Sequence, residues 1–284
     1  MKAEILVGDV LAGLNKLPDG RARCVVTSPP YWGLRDYGEA GQLGLERTPE
    51  QYVENMVEVF RSVKRVLADD GTLWLNIGDS YYNNFGGGSG TMTTGNATAV
   101  RQRGRHSVPK HDVLKLKDLV GIPWRLALAL QADGWYLRQE IIWAKPNPMP
   151  ESVTDRCTKA HESVFLLTKK PKYYFDKESM SEKSAEGSSY ERRNRRSVWT
   201  VATKPLKAAH FAVMPEALVE PCVLAGSEVG DTVLDPFSGS GTVGVVALRH
   251  GRNYVGCELN PDYATLSERR ISDDQPLMNT VEVK

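Results

Sequence analysis

The first segment that could bind a cofactor is a glycine-rich turn near the end of the chain. Residues 235–242 read Asp-Pro-Phe-Ser-Gly-Ser-Gly-Thr and follow a short apolar run that is typical of a strand. Glycines let a backbone approach a ligand closely, and the start of the next helix offers unpaired N–H groups. Gly239, Gly241 and Gly244 match the GxGxxG spacing of dinucleotide-binding folds. No lysine follows Gly241, which excludes a phosphate-binding P-loop.

Glu258 could extend the same ligand site, because it ends the next predicted strand, at 254–258. A carboxylate at that place can accept hydrogen bonds from both hydroxyls of a ribose. The alternative is an acidic residue that stabilises the start of the helix at Pro261 through the helix dipole. The preceding glycine turn favours the ribose interpretation.

A second motif with chemical potential is Thr-Ser-Pro-Pro-Tyr-Trp at residues 27–32, directly after another predicted strand. The two prolines fix the backbone and remove two N–H donors, so carbonyl oxygens are held in place to accept a hydrogen bond. Ser28 adds a hydroxyl and Tyr31 adds a flat ring for stacking. These features suit a planar ligand with an amino group, such as a nucleobase. The alternative is a rigid turn beneath an aromatic cluster.

The elements that must position these motifs alternate between strands and helices at both ends of the chain. Thr48 is a predicted N-cap, Pro49 suits the first helical position, and Gln51 completes a capping box. Apolar residues recur at helical spacing from there until Gly71. The alternation predicts an α/β fold with a doubly wound, mostly parallel sheet, in a single domain over residues 1–284. Strands are predicted at 4–7, 23–27, 72–77, 136–143, 163–168, 232–235 and 253–257, and further helices at 123–132, 215–224, from the glycine turn to 250, and from 261.

Two polar segments interrupt this pattern. Residues 83–111 contain three consecutive glycines, several arginines and almost no apolar periodicity, which predicts a long mobile loop. Residues 176–203 look like an inserted surface region that is rich in arginine.

The composition is that of an ordinary globular protein of 284 residues with a formal net charge of +1. The four cysteines show no CxxC spacing, so neither a disulfide framework nor a zinc knuckle is indicated. No apolar run reaches the length of a membrane span. We therefore expect a soluble cytoplasmic protein that does not partner with a membrane. A near-neutral total charge neither supports nor excludes a nucleic-acid partner.

Taken together, the two motifs resemble those of the amino-group DNA methyltransferases, which make N4-methylcytosine or N6-methyladenine. In that family a (Ser/Asn/Asp)-Pro-Pro-(Tyr/Phe) tetrapeptide is catalytic and an Asp-Pro-Phe-x-Gly-Ser-Gly-Thr-like run binds S-adenosylmethionine. Here the tetrapeptide comes first, which is similar to the circularly permuted β arrangement. The resemblance implies the S-adenosylmethionine-dependent methyltransferase fold, with residues 176–203 as the target-recognition insertion.

The resemblance also implies roles for individual residues. In the family, the target base is flipped out of double-stranded DNA, stacks on the tyrosine and receives the methyl group by direct in-line transfer, with no metal. The implied catalytic residues are Ser28, Pro29, Pro30 and Tyr31. The implied cofactor-binding residues are Asp9, Asp79, Phe211, Pro215, Asp235, Pro236, Phe237, Ser238, Gly239, Ser240, Gly241, Thr242 and Glu258. The implied DNA-binding residues are Trp32, Lys145, Arg192, Arg193, Arg195 and Arg196, although a run of arginines can also be a solvated face.

Serine at the first tetrapeptide position favours N4-cytosine in this family, with N6-adenine as the alternative. A more distant alternative is an NAD(P)-dependent oxidoreductase built on the GxGxxG spacing, which leaves residues 28–32 unexplained. C5-cytosine methylation would need a nucleophile such as Cys222, which lies inside a predicted helix. Cys157 and His161 have the spacing of a metal pair, but two ligands alone are rarely a site. Both a monomer and a homodimer, and enzymes with or without a cognate restriction endonuclease, fit the sequence.

Overall fold

The computed structural model describes residues 1–34, 36, 38–82, 111–184, 189–204, 213–275 and 279–284. Its helices are α1 Val10–Asn15, α2 Pro49–Val66, α3 Ile122–Ala132, α4 Glu216–Gly226, α5 Thr242–Arg249 and α6 Pro261–Asp274. Its strands are β1 Lys2–Val7, β2 Ala22–Thr27, β3 Leu67–Ile77, β4 Tyr136–Ala144, β5 His161–Thr168, β6 Ser181–Lys183, β7 Arg192–Asn194, β8 Val198–Thr200, β9 Thr232–Asp235, β10 Asn253–Glu258 and β11 Thr280–Val283.

Nine of these strands form one sheet in the order β11-β1-β10-β9-β2-β3-β5-β4-β8. Pairing is parallel throughout, except that β5 runs antiparallel to both β3 and β4. Strand β1 from the start of the chain lies between β10 and β11 from its end, and β9 lies beside β2. The mostly parallel sheet and the interleaved chain ends are those expected of the permuted methyltransferase fold.

Helices cover both faces of this sheet. The apolar sides of α1, α2 and α3 share one buried cluster, which includes Leu14, Phe60 and Leu126. The apolar sides of α4, α5 and α6 share a second cluster on the opposite face, which includes Val219 and Ile271. The prediction of a doubly wound sheet is therefore confirmed. Within the part of the chain that the structure describes, no helix has both the length and the apolar character to cross a membrane.

Helix α2 begins as the sequence predicts but ends earlier. The Thr48 hydroxyl accepts a hydrogen bond from the backbone N–H of Gln51 at 3.2 Å. The prediction that the helix runs to Gly71 is wrong, since it ends at Val66 and β3 begins at once. Gly71 lies where the register between β2 and β3 shifts, and a Cβ there would come within 2.8 Å of the Arg23 carbonyl oxygen. Its role is close strand packing rather than helix termination.

The predicted insertion at 176–203 contributes structure to the main sheet. Strands β6 and β7 form a separate antiparallel pair, whereas β8 pairs in parallel with β4 at the sheet edge. Trp199 on β8 is only 3% exposed, so it anchors this edge strand in the core. Residues 185–188 of this insertion, and residues 83–110 of the predicted loop at 83–111, lie outside the described residues.

Candidate active site

A cavity of about 390 Å³ lies at the carboxyl ends of four neighbouring parallel strands. The residues that end or follow these strands line it: Asp9 after β1, Ser28 after β2, Asp235 at the end of β9 and Glu258 at the end of β10. Ligands of doubly wound sheets bind outside the carboxyl ends of the strands. The fold thus brings the glycine turn and the Ser-Pro-Pro-Tyr tetrapeptide, which are about 200 residues apart in the sequence, to one cavity.

The glycine turn is shaped by positive backbone angles and by close packing. Gly239 has φ +53° and its N–H donates to the Glu258 carboxylate at 2.7 Å. Gly241, the N-cap of α5, has φ +76°, and a Cβ there would come within 2.2 Å of Ser267 Oγ on α6. The glycines of the GxGxxG match therefore serve two purposes, because Gly239 lines the cavity and Gly241 lets α6 pack closely.

Asp235 is a buried residue of the glycine turn that also contacts the strand end before the tetrapeptide. Its side chain accepts hydrogen bonds from the Thr27 hydroxyl at 2.6 Å and from the Phe237 N–H at 3.0 Å. Asp235 is 1% exposed, and this burial raises the pKa of its carboxyl group to about 7, with the nearby Glu258 adding to the increase. Thr27 directly precedes the tetrapeptide, so the Asp235–Thr27 contact fixes the distance between the two motifs.

The raised pKa of Asp235 predicts a pH dependence of stability. Between the ordinary carboxyl pKa of 3.8 and about 7, the folded state binds more protons than the unfolded chain. The free energy of unfolding therefore falls as the pH rises through this window. Because of Asp235, the wild type should lose on the order of 2–4 kcal/mol of unfolding free energy over this pH window. Asp235→Asn keeps the acceptor oxygen but cannot ionise, so it should not show this loss. Urea denaturation without cofactor at about pH 4.5 and about pH 7.5 measures it, and equal losses in variant and wild type would contradict the prediction.

The Ser-Pro-Pro-Tyr tetrapeptide is held by contacts on two sides. The Pro30 carbonyl accepts a hydrogen bond from Tyr52 on α2 at 2.9 Å. The Ser28 hydroxyl donates to the Tyr31 hydroxyl oxygen at 3.1 Å, so both polar groups are oriented within the motif. Ser28, Pro29, Pro30 and Tyr31 all line the cavity. This loop therefore places a serine, two prolines and a tyrosine on the wall of one cavity.

Behind the tetrapeptide lies a polar network that the sequence did not reveal. Tyr31 donates to the Glu162 carboxylate at 2.7 Å and also contacts the Asn76 side-chain oxygen at 3.2 Å. Glu162 also forms an ion pair with Lys145, whose ammonium group lies 4.2 Å from the centre of the Trp143 ring. Glu162 and Asn76 both line the cavity. The only sequence signal for Glu162 was a carboxylate at the start of a strand, which is not specific.

The charges of the cavity favour a cationic ligand. Asp9, Glu39, Asp235, Glu258 and Glu162 supply carboxylates, and Lys145 is the only lysine or arginine among the described lining residues. A sulfonium and an ammonium group suit this lining, whereas the pyrophosphate of a dinucleotide would be repelled. The Glu258 carboxylate, whose pKa burial raises, faces the cavity beside Gly239. These residues fit S-adenosylmethionine and disfavour NAD(P).

Comparison with known proteins decides between these ligands. The model of the N6/N4 methyltransferase family, described as DNA methylase, matches residues 22–269. The chain belongs to this family. Because the family takes its methyl group from S-adenosylmethionine, the predicted family and cofactor are both confirmed, and the oxidoreductase alternative is set aside.

The sequence of the methylase aligns over almost its whole length with those of known methyltransferases. It is 52% identical to the Type II methyltransferase M.Cfr9I of Citrobacter freundii, over 96% of this chain and 88% of that protein. It is 51% identical to the Type II methyltransferase M.SmaI of Serratia marcescens, over 94% of this chain and 90% of that protein.

Solved structures show the same fold as the methylase. The DNA modification methylase TTHA0409 of Thermus thermophilus, solved in complex with S-adenosyl-L-methionine, has a TM-score of 0.66 at 25% identity, and 99% of each chain is covered. The PvuII DNA methyltransferase (cytosine-N4-specific) has a TM-score of 0.70 at 20% identity, with 95% of this chain and 86% of that chain covered. The predicted fold class is confirmed.

Three residues were assigned to the cofactor from the sequence but are not placed in the cavity. Two of them make structural contacts elsewhere, and the third lies outside the described residues. The Asp79 carboxylate accepts the N–H groups of Gly121 and Ile122, both at 2.9 Å, so it caps α3. Pro215 is the buried N-cap of α4, while its neighbour Met214 lines the cavity. Phe211 lies outside the described residues. The placement of Asp79 and Pro215 favours structural roles.

The residues assigned to DNA binding lie in three different places: the core, the cavity and the inserted region. Trp32 is 2% exposed, and its indole N–H donates to the Glu46 carbonyl, so the ring packs in the core and is not presented to DNA. Lys145 lines the cavity, where it pairs with Glu162. The four arginines of the insertion lie on and beside β7: Arg192 and Arg196 are exposed, Arg193 pairs with Glu182, and Arg195 stacks on Trp199.

Two cysteines were considered as functional residues from the sequence, Cys222 as a nucleophile and Cys157 as a metal ligand. Cys222 is buried in α4, where its thiol donates to the Leu218 carbonyl and burial raises its pKa well above the ordinary value. A thiol in that state is a poor nucleophile, and Cys222 is not among the described residues that line the cavity. Cys157 is exposed.

Proposed function

We propose that this methylase transfers the methyl group of S-adenosylmethionine to the exocyclic N4 of cytosine within a specific sequence of duplex DNA. The observation that carries the choice of base is Ser28 at the first position of the tetrapeptide, with its hydroxyl on the cavity wall. Among the amino-group methyltransferases that the chain resembles, serine there is commoner in N4-cytosine enzymes and aspartate in N6-adenine enzymes.

The base side of the cavity is formed by the tetrapeptide. The target cytosine is unstacked from the duplex and inserted, because its amino group is otherwise out of reach. Tyr31 stacks on the base, and Ser28 and the Pro29 carbonyl accept hydrogen bonds from the amino group, which directs its lone pair towards the methyl group. Fixing both reactants in line supplies much of the rate enhancement.

The cofactor side is formed by the glycine turn and the ends of β1 and β10. Glu258 would bind the ribose hydroxyls, Asp9 would lie near the adenine, the glycine turn at 235–242 would contact the cofactor, and the segment that includes Met214 would pack around its methionine part. S-adenosylmethionine supplies an electrophilic methyl group on a sulfonium centre. The carboxylates that line the cavity would suit that positive charge in the bound cofactor.

The insertion at 176–203 is the proposed recognition region. Arg192 and Arg196 are exposed residues on it, and we propose that they contact phosphates. Arg193 and Arg196 both pair with Glu182, which holds these two guanidinium groups close together. Because the relatives are named Type II methyltransferases, we include in the proposal a cognate restriction endonuclease that cleaves the same sequence.

Mapping of modified bases in cells tests the site specificity. DNA from cells that express the methylase should carry N4-methylcytosine at one short sequence, on both strands, and that DNA should resist an endonuclease specific for the sequence. A matched culture that expresses Ser28→Ala should carry none. Modification confined to adenine would contradict the choice of base, and cytosine modification without a shared sequence would contradict the specificity.

A further inference from the structure

Transfer to an amino group creates a proton that must be removed. The new N–C bond forms as the C–S bond breaks, and the sulfur keeps the electron pair of that bond. The nitrogen then holds one proton more than the neutral methylamino product. A serine hydroxyl is too weakly basic to hold this proton, so an enzyme with serine at the first tetrapeptide position needs a base elsewhere.

The structure contains a continuous hydrogen-bonded path from the tetrapeptide to a carboxylate. The Ser28 hydroxyl donates to the Tyr31 oxygen at 3.1 Å, and the Tyr31 hydroxyl donates to Glu162 Oε2 at 2.7 Å. Both bonds have the donor on the side of the substrate and the acceptor on the side of Glu162. All three side chains line the cavity. A proton that enters at Ser28 can therefore move to Glu162 without any side chain turning.

Glu162 is held in one orientation by groups on two neighbouring strands. Its Oε1 pairs with the Lys145 ammonium group, which follows β4, and its Oε2 accepts the Asn76 amide of β3 at 3.1 Å. Lys159 is a second ammonium group that interacts with it electrostatically. The Glu162 side chain is only 16% exposed. Among the described residues, the charged groups that face this carboxylate are Lys145 and Lys159, and the Tyr31 hydroxyl is its proton donor.

We propose that Glu162 is the proton acceptor of the methyl transfer and acts through Tyr31 and Ser28. This inference rests on the proposed function. The amino proton passes to Ser28 Oγ as the Ser28 proton passes to Tyr31 and the Tyr31 proton passes to Glu162. Every oxygen on the path ends with its original number of protons except Glu162, which becomes neutral. It returns its proton to solvent after the product leaves.

Glu162→Gln is the direct test, because glutamine keeps the side-chain shape and the acceptor oxygen for Tyr31 but removes the basic group. The matched control is Glu140→Gln, which removes a carboxylate on the adjacent strand β4 that accepts from Ser163 at 2.8 Å. Single-turnover transfer to duplex DNA is measured together with the dissociation constants of cofactor and DNA.

We expect Glu162→Gln to slow single-turnover transfer about 100-fold, the usual contribution of a general base. Both dissociation constants should stay within about threefold of the wild type, so that the loss falls on the transfer step alone, and Glu140→Gln should transfer at the wild-type rate. A Glu162→Gln rate within about threefold of wild type, or a slow rate accompanied by an equal loss of cofactor or DNA affinity, would overturn the proposal.

A second variant keeps the test decisive if Glu162→Gln does not fold. Tyr31→Phe retains the stacking ring and removes the hydroxyl in the middle of the path, so it should show the same loss of rate. A wild-type rate in Tyr31→Phe would overturn the path. Failure of the proposed function is distinguishable, because the wild-type protein itself would then transfer no methyl group to cytosine.

Discussion

Gly78→Ala is expected to abolish most methyl transfer while leaving cofactor binding intact. A Cβ at residue 78 would lie 2.5 Å from Tyr31 Cε2 and 2.9 Å from Tyr31 Cδ2. The ring cannot move aside freely, since its hydroxyl is bonded to Glu162 and Asn76. A displacement of about 1 Å at a reacting group can cost about 100-fold in rate. We therefore expect single-turnover transfer to fall about 100-fold.

A double-mutant cycle with Tyr31→Ala separates this effect from general damage. Once the ring is absent, alanine at residue 78 has no ring to displace, so Gly78→Ala should cost almost nothing further in the Tyr31→Ala background. Cofactor affinity, measured by calorimetry, should be unchanged in all variants. Full additivity of the two losses, or a matching loss of cofactor affinity, would contradict the steric explanation.

Gly241→Ala is expected to destabilise the fold much more than the same change at a matched glycine. Gly241 and Gly121 are both helix N-caps in the left-handed region, with φ +76° and φ +77°. A Cβ on Gly121 would meet open space, whereas a Cβ on Gly241 would lie 3.0 Å from the Ser267 Cα. Both variants incur backbone strain of about 1 kcal/mol, and Gly241→Ala should add about 1–3 kcal/mol from overpacking.

Urea denaturation of the two variants measures this difference directly. Gly241→Ala should also weaken cofactor binding, because the glycine turn must shift away from α6 to relieve the contact. Equal destabilisation of the two variants would show that α6 adapts easily to a side chain at residue 241. In that case close packing would not explain the second glycine of the turn.

Local signals predicted the parts of this fold that depend on neighbouring residues. The Thr48 cap and the strand before each motif could be recognised because capping and apolar periodicity act over a few residues. The prediction that α2 ends at Gly71 was wrong. A glycine is needed there because the backbone packs closely against β2, which is distant in the sequence. Asp79 was assigned to the cofactor by resemblance, but α3 begins against its carboxylate.

The site was predicted in its motifs but not in its supporting groups. Ser28 and Glu258 lie in distinctive strings of residues, and the permuted sheet brings them to one cavity as expected. Glu162 reaches Tyr31 only because β5 pairs antiparallel with β3, which sets Asn76 opposite Val164. That register is fixed by tertiary packing, and no spacing in the sequence encodes it. Trp32 was assigned to DNA by resemblance, but its side chain is buried in the core.

Identification of the methylated nucleoside tests the central claim most directly. The purified protein is incubated with mixed-sequence duplex DNA and methyl-labelled S-adenosylmethionine, and the digested nucleosides are separated and identified by mass spectrometry. The Ser28→Ala, Tyr31→Ala double variant is the control. The account predicts label in N4-methylcytosine with the wild type and none with the control. Label only in N6-methyladenine would contradict the proposed base, and no label in DNA would contradict the proposed function itself.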